Sequence, residues 1–197
     1  MKRQLHRAVF EITVGDLTER DEDAIVNPAN SSLVLKSGVS ALIRQKGGKL
    51  IQLECQKKAP VPTGDAVITS GGELKALHVI HAVGPRWGDG NEDEKLRSTI
   101  YRILRVADQN GLRSLAMPAI STGEFGFPPR RAAEIILGTI IRYLGNQSSL
   151  TKVVIVLADE TMQALFVEVA EGMEAAGVLP TQPLPPGELG LVEHTGR

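Results

Sequence analysis

Six short runs of apolar, largely β-branched residues set the strongest limit on what this chain can fold into: Val9–Val14, Ala24–Asn27, Ala66–Thr69, Leu77–Val83, Ser114–Met117 and Val153–Leu157. Several are apolar nearly throughout, as strands covered on both faces must be. Segments of helical period separate them. Leu96, Ile100, Ile103, Leu104 and Ala107 form one apolar stripe, opened by Asn91 with Glu94 at the spacing of a capping box and closed by Gly111. Ala133, Ile136, Leu137, Ile140 and Leu144 form a second, entered through Pro128-Pro129 and stopped at Gly145. Fainter helical patterns cover Val39–Lys46, Leu50–Lys57 and Met162–Ala175. Strands alternating with helices specify an α/β layered domain.

A length of 197 residues accommodates one such domain. From Val178 the periodicity gives way to Leu179-Pro180-Thr181-Gln182-Pro183-Leu184-Pro185-Pro186-Gly187, whose prolines withhold the N–H groups a helix or central strand needs. The expected organisation is therefore a domain over residues 1–177 and a flexible Pro/Gly-rich tail over 178–197, outside the fold; a docking peptide for a proline-reading partner is the alternative. No internal repeat is visible. With 22 Lys+Arg against 23 Asp+Glu, the chain has no broad basic surface, which disfavours nucleic acid as a partner. The lone Cys55 cannot form an internal disulfide, and nothing near it has the spacing of a metal site. Met1–Arg7 looks like a basic leader, but Glu11 and Asp16 interrupt the next stretch, so no signal core is read. No run of about 18 apolar residues exists to span a membrane. A cytoplasmic monomer without a metal is expected.

In an open α/β sheet, ligands bind beyond the carboxyl ends of the strands, so the segment after each strand is the place to look for chemistry. Four stand out: Gly15-Asp16-Leu17-Thr18, Pro28-Ala29-Asn30-Ser31-Ser32, Pro118 through Pro128, and Ala158-Asp159-Glu160. The third contains Ser121-Thr122-Gly123-Glu124-Phe125-Gly126-Phe127 ahead of a helix. Small residues, flexible backbone and unpaired N–H groups at a helix start are what phosphate oxygens need when no lysine holds them. The segment lacks the Gly-Lys-Ser/Thr of a Walker loop and is no GxGxxG fingerprint. Ser37-Gly38-Val39-Ser40-Ala41 is a second cradle of the same kind, and two cradles facing each other would suit a diphosphate. Either loop alone reads equally well as a tight strand-to-helix turn.

The side chains beside these loops have two readings each. Asp16 caps the turn after its strand or accepts bonds from an adenine amino group, and taken alone the cap is favoured. Asn30 stabilises the turn after Pro28 or binds a ribose hydroxyl; Phe125 and Phe127 pack against a sugar or seal their loop onto the core. Asp159 is a further candidate ligand contact. His78 and His81 fall on opposite faces of a regular strand, which makes them poor joint metal ligands and favours structural roles, as it does for Trp87.

Taken together, these loops resemble the macro domain family. The resemblance is carried by Val14-Gly15-Asp16-Leu17-Thr18, Ala24-Ile25-Val26-Asn27-Pro28-Ala29-Asn30-Ser31, Val79-Ile80-His81-Ala82-Val83-Gly84-Pro85 and Met117 through Pro128, in the family's order. It implies a three-layer α/β/α sandwich around a mixed, mostly parallel sheet of about six strands, with an ADP-ribose cleft across the carboxyl edge and no cofactor beyond that ligand. By the same resemblance, Asp16 accepts the adenine amino group, Leu17 lies beside the base and Asn30 binds the distal ribose. Gly38, Val39, Ser40 and Ala41 form one phosphate loop and Ser121 to Phe127 the other, with Phe125 lining the distal ribose.

The chain departs from the family pattern at two points. Many members read Gly-Gly-Gly-Val-Asp-Gly at the first phosphate loop, and in hydrolases that aspartate helps activate water; here the stretch is Lys36-Ser37-Gly38-Val39-Ser40-Ala41. A serine hydroxyl without an adjacent base is a poor proton acceptor near neutral pH, which argues against carboxylate-driven hydrolysis. Many members also stack an aromatic residue on adenine after the last strand, where this chain has Ala158. The first expectation is thus a module binding free ADP-ribose or ADP-ribosylated protein. The alternative is an ADP-ribosyl hydrolase or O-acetyl-ADP-ribose deacetylase, with Asn30 and Ser40 as candidate catalytic positions around a water held by the ligand's phosphate. An RNA or poly(A) module comes third.

Overall fold

The computed structural model describes residues 1–146, 148–178 and 181–182. Its strands are β1 Lys2–Leu5, β2 Ala8–Val14, β3 Ala24–Pro28, β4 Ala66–Ser70, β5 His78–Ala82, β6 Ser114–Met117, β7 Lys152–Leu157 and β8 Thr181–Gln182. The helices are α1 Gly38–Gly47, α2 Lys49–Lys58, α3 Glu92–Gln109, α4 Pro129–Leu144 and α5 Glu160–Ala175. All eight strands join one sheet in the order β4-β5-β3-β6-β7-β2-β1-β8. From β5 to β2 every pairing is parallel, and antiparallel strands close both sides.

The three layers follow from the period-two alternation within each strand. Ala24, Val26, Leu115, Met117, Val153 and Ile155 face one core, completed by the apolar stripes of α3, α4 and α5. Ile25, Val79, Ala116, Val154 and Val156 face the other, with Ile43 of α1 and Ile51 and Cys55 of α2. Burial on both sides explains why these strands read as continuous apolar runs. Burial also pushes the Cys55 thiol up to about 11, so it behaves as a small apolar side chain. No described helix is long and apolar enough to cross a membrane.

Two of the strands lie outside the six apolar runs. β1 occupies the stretch that resembles a basic leader; it pairs with β2, ties Lys2 to Glu11 and Arg3 to Glu174, and buries only Leu5. β8 falls within the segment expected to lie outside the fold, yet Thr181 and Gln182 pair with Leu5 and Gln4. Residues 183–197 of that expected tail, and with them most of the docking-peptide alternative, lie outside the described residues. The capping box at Asn91 does not form: Asn91 is left-handed, at φ 54°, and makes no side-chain cap bond. Glu92 instead accepts the N–H groups of Gly88 and Gly90, closing the preceding turn.

One buried charge braces the base of the sheet. Glu22 is 2% exposed and takes hydrogen bonds or ion pairs from Arg20 and Lys152. Burial alone would push its pKa up, but these two cations outweigh that and hold it down at about 2.

Candidate functional site

A cleft of about 610 Å³ opens at the carboxyl ends of β2, β3, β6 and β7. Gly15–Thr18, Pro28–Asn30, Ser37–Ser40, Pro118–Phe125 and Val156–Ala158 form its walls, with Leu42, Gly84 and Met162. Asp16 and Glu124 are its ionisable side chains, and no lysine, arginine or histidine lines it. An anion in this cleft must therefore be held by backbone and hydroxyl groups.

The two small-residue loops lie across the cleft from each other. At the start of α1, Ser37 makes no side-chain cap, so the N–H groups of Gly38, Val39 and Ser40 are the unpaired donors of a helix N-terminus. In the opposite loop, Gly126 N–H donates to Gly123 and Phe127 N–H to Ser121, a turn that leaves the N–H groups of Gly123, Glu124 and Phe125 without backbone acceptors among the described residues. Ser37 Oγ donates to Glu124 Oε2 at 3.3 Å, linking the loops across the cleft mouth.

Ser121 bears the mark of a built site. It is 7% exposed, holds a left-handed backbone at φ 69°, and its Oγ is a buried polar atom with no hydrogen-bond partner. A non-glycine residue in that conformation with an unsatisfied hydroxyl costs energy twice over. Gly84 makes room for it: a Cβ there would lie 2.2 Å from Ser121 Oγ and 2.7 Å from Ile120 Cγ2.

Below the first loop runs a chain of neutral hydrogen bonds. Ser40 Oγ donates to Asn27 Oδ1 at 2.7 Å, and Asn27 Nδ2 meets His81 Nδ1 at 3.0 Å. His81 Nε2 reaches Thr69 Oγ1 at 2.9 Å, and that hydroxyl donates to the Ser70 carbonyl at 3.0 Å. The sequence of donors assigns His81 the Nε2–H tautomer, with every member satisfied. Burial depresses the His81 pKa to about 4, so the ring is neutral near physiological pH. Ser40 thus commits its proton to Asn27 and offers the cleft only lone pairs.

At the other end, Asp16 takes the first of the two roles open to it from sequence: Oδ1 accepts from the N–H and hydroxyl of Thr18, capping the short 3₁₀ turn Leu17–Glu19. Its Oδ2 accepts from Lys46 Nζ at 2.8 Å, and Lys46 also reaches Glu19 at 2.8 Å. Hydrogen bonds from Lys46 and then Thr18 overcome partial burial and hold Asp16 down at about 2, a full carboxylate. Asn30 lies on the cleft wall with its amide closed into its own turn, accepting from Ser32 and Val34 and donating to the Val34 carbonyl.

Among the expected contacts, Asp16, Leu17, Asn30, Gly38, Val39, Ser40, Ser121, Thr122, Gly123, Glu124 and Phe125 lie together on the cleft wall. Gly126, Phe127 and Asp159 do not. Phe127 is 1% exposed and packs edge-on to Trp87 at 5.1 Å, because the turn at Gly126 sends it into the core. Asp159 Oδ1 accepts the Met162 N–H and caps α5. Gly84 and Met162 escape the sequence reading, although Gly84 sits inside one of its motifs; both lie on the cleft wall with Ala158.

The Macro domain family description matches residues 26–136. The chain belongs to the macro domain family. It is 42% identical over 167 residues to a macro domain-containing protein of Listeria monocytogenes, covering 80% of this chain and 95% of that protein. It is 40% identical over 166 residues to O-acetyl-ADP-ribose deacetylase 2 of Pantoea vagans, covering 80% of this chain and 97% of the relative. A variant of the Oceanobacillus iheyensis macrodomain with ADPR superposes with a TM-score of 0.85 at 33% identity, over 89% of this chain and 98% of that one. The Trypanosoma brucei macrodomain in complex with ADP-ribose gives 0.77 at 31% identity, over 82% and 68% of the two chains. This macro domain keeps the α/β sandwich expected of the family, widened at one edge by β1 and β8.

Proposed function

We propose that this macro domain binds ADP-ribose, free or as the terminal unit on a modified protein. The unpaired Ser121 hydroxyl between two opposed rows of free N–H groups, in a cleft lined by no basic side chain, carries the reading. A diphosphate supplies acceptors for all of these donors at once, without a counter-charge. Asp16 Oδ2 and the apolar walls of Leu17, Val156 and Met162 suit a base at one end, and Asn30 and Phe125 suit a ribose at the other. The similarity to macrodomains solved with ADPR and ADP-ribose supports the same ligand. The protein acts in this reading as a cytoplasmic monomer needing no cofactor. Titration with ADP-ribose in a calorimeter tests it: saturable heat is expected, and none at millimolar ligand overturns it.

Hydrolysis is the second reading, favoured by the relative named O-acetyl-ADP-ribose deacetylase 2. Ser40 donates its hydroxyl hydrogen bond to Asn27, so its oxygen can accept a hydrogen bond from a water but cannot activate it as a carboxylate would. The water would be oriented by Ser40 and Asn30 and drawn toward the anomeric carbon by the ligand's own phosphate. Incubation with a protein bearing glutamate-linked ADP-ribose separates the readings: release above a Gly123→Glu control supports hydrolysis, whereas retention with binding supports a reader. An RNA module is disfavoured by the absence of lysine and arginine from the cleft wall.

A further inference from the structure

Outside the cleft, next to Phe125, lies a run of guanidinium and aromatic groups that ADP-ribose itself leaves unused. The segment after β5 leaves the cleft wall at Gly84 and carries Arg86 and Trp87 away from it. The Arg86 guanidinium lies over the Phe125 ring, 4.8 Å from its centroid, and the Trp87 N–H donates to the Phe125 carbonyl at 2.8 Å. Trp87 is 42% exposed, and the Arg131 guanidinium lies over its ring at 5.5 Å. Arg131 in turn lines a second groove, of about 630 Å³, between α3 and α4, together with Arg97, Arg130, Arg142, Asp93 and Glu134. Contact by contact, the surface is continuous from Phe125 to this groove.

The charges along it are unevenly used. Asp93 holds Arg131 at 2.7 Å and Glu168 holds Arg130 at 2.9 Å. Arg86, Arg97 and Arg142 are exposed and make no ion pair among the described residues. A guanidinium resting on an aromatic ring keeps its fork of N–H donors for a carboxylate, which can take two of them at once.

We propose that this surface, from Arg86 across Trp87 to the groove between α3 and α4, docks an acidic stretch of the polypeptide that carries the ADP-ribose. The inference rests on the ADP-ribose reading above and names the kind of protein that presents the ligand. Covalent continuity sets where that polypeptide emerges. It is joined to the anomeric carbon of the distal ribose, so it leaves the cleft past Asn30 and Phe125. Charge then sets its chemistry on the Phe125 side: three uncommitted guanidinium groups call for carboxylates, and Trp87 offers apolar surface to the chain between them. Asp93 and Glu134 stand among the arginines of the groove, so the anion that fits must be discontinuous. A polypeptide can space its acids to avoid these two carboxylates, whereas a nucleic acid is charged at every residue.

The test titrates the full chain, by calorimetry at low salt, with free ADP-ribose and with ADP-ribose coupled through a non-hydrolysable linkage to peptides flanked by glutamates or by serines. The wild type is expected to hold the glutamate-flanked conjugate about fivefold or more tighter than the serine-flanked one, a gain that shrinks as salt rises. Arg86→Gln and the double variant Arg97→Gln/Arg142→Gln should each lower that ratio by about twofold or more, and the double variant should bind free ADP-ribose as the wild type does. A wild-type ratio of about one, or a ratio unchanged in both variants, overturns the inference and leaves ADP-ribose binding intact. A single-stranded oligonucleotide that binds the wild type without ADP-ribose and is lost in the double variant assigns the groove to nucleic acid, and also overturns it. Failure of the wild type to bind free ADP-ribose overturns the functional reading and the inference with it.

Discussion

At one end of the cleft, Asp16 and Lys46 meet as full charges whose side chains remain 43% and 35% exposed; at the other, Ser40, Asn27 and His81 are joined by neutral bonds at 7% exposure or less. Water and salt screen the first arrangement, so it contributes little to stability and adjusts to what it meets. The second has no solvent to fall back on. Each broken link strands a buried donor or acceptor at full desolvation cost, which fixes the Ser40 loop before any ligand arrives. A cleft built this way is rigid beside the Ser40 loop and adaptable beside Asp16.

The largest effect expected on binding comes from between the two ends. A Cβ at Gly123 meets nothing within 4 Å, so Gly123→Glu should fold normally while placing a carboxylate in the loop proposed to hold the diphosphate. Affinity for ADP-ribose should drop by about a hundredfold or more. An unchanged melting temperature together with undiminished binding would remove both loops from the comparison.

The buried end should reveal itself in the pH dependence of stability. His81 titrates at about 4 in the folded protein against 6.5 ordinarily, so as pH falls below 6.5 the unfolded chain takes up a proton that the folded chain refuses. Stability should therefore be lost progressively from pH 6.5 to 4, by up to about 3 kcal/mol in urea unfolding, with no further loss from this group below that window. His81→Gln should flatten that window. Asp16 and Glu22, held at about 2, lose their contributions only at lower pH, so the windows separate.

Gly84→Ala sharpens the contrast from the packing side. Its Cβ would collide with Ser121 Oγ and Ile120 Cγ2, and a loss of about 1 to 3 kcal/mol in chemical unfolding is expected. Retention of full stability would mean that the Ser121 loop yields easily and is not preset. Asp16→Ala gives the smallest change, a loss of about 1 kcal/mol in ADP-ribose affinity that shrinks further at high salt. A salt-insensitive loss much larger than this would show the base end to be as rigid as the buried one.

How much of the molecule is legible before folding depends on the range of the forces. The helix and strand runs are legible to within a residue or two, because each owes its pattern to a face it must bury locally. β1 and β8 escape because short strands at the margin of the sheet have little apolar pattern: β1 buries only Leu5. The Asn91 capping box is a local signal overruled when Glu92 closes the Gly88–Gly90 turn. In the cleft, the two loops are legible because small residues before a helix work through their own backbone. Phe127 and Asp159 are misplaced from sequence because the same residues satisfy the core and a helix cap equally well.

By itself the sequence determined the alternation of strands and helices, the two small-residue loops at strand ends, and the balance of charge that leaves an anion to backbone donors. Only the tertiary structure decided that Ser40 reaches Asn27 across thirteen residues and Asn27 reaches His81 across fifty-four, or that Lys46 of α1 lands on Asp16 after β2. Periodicity and motif spacing record which face a residue must bury. They carry no record of which distant partner will satisfy a polar group once it is there, since that is settled when parallel strands bring remote parts of the chain to one edge of the sheet.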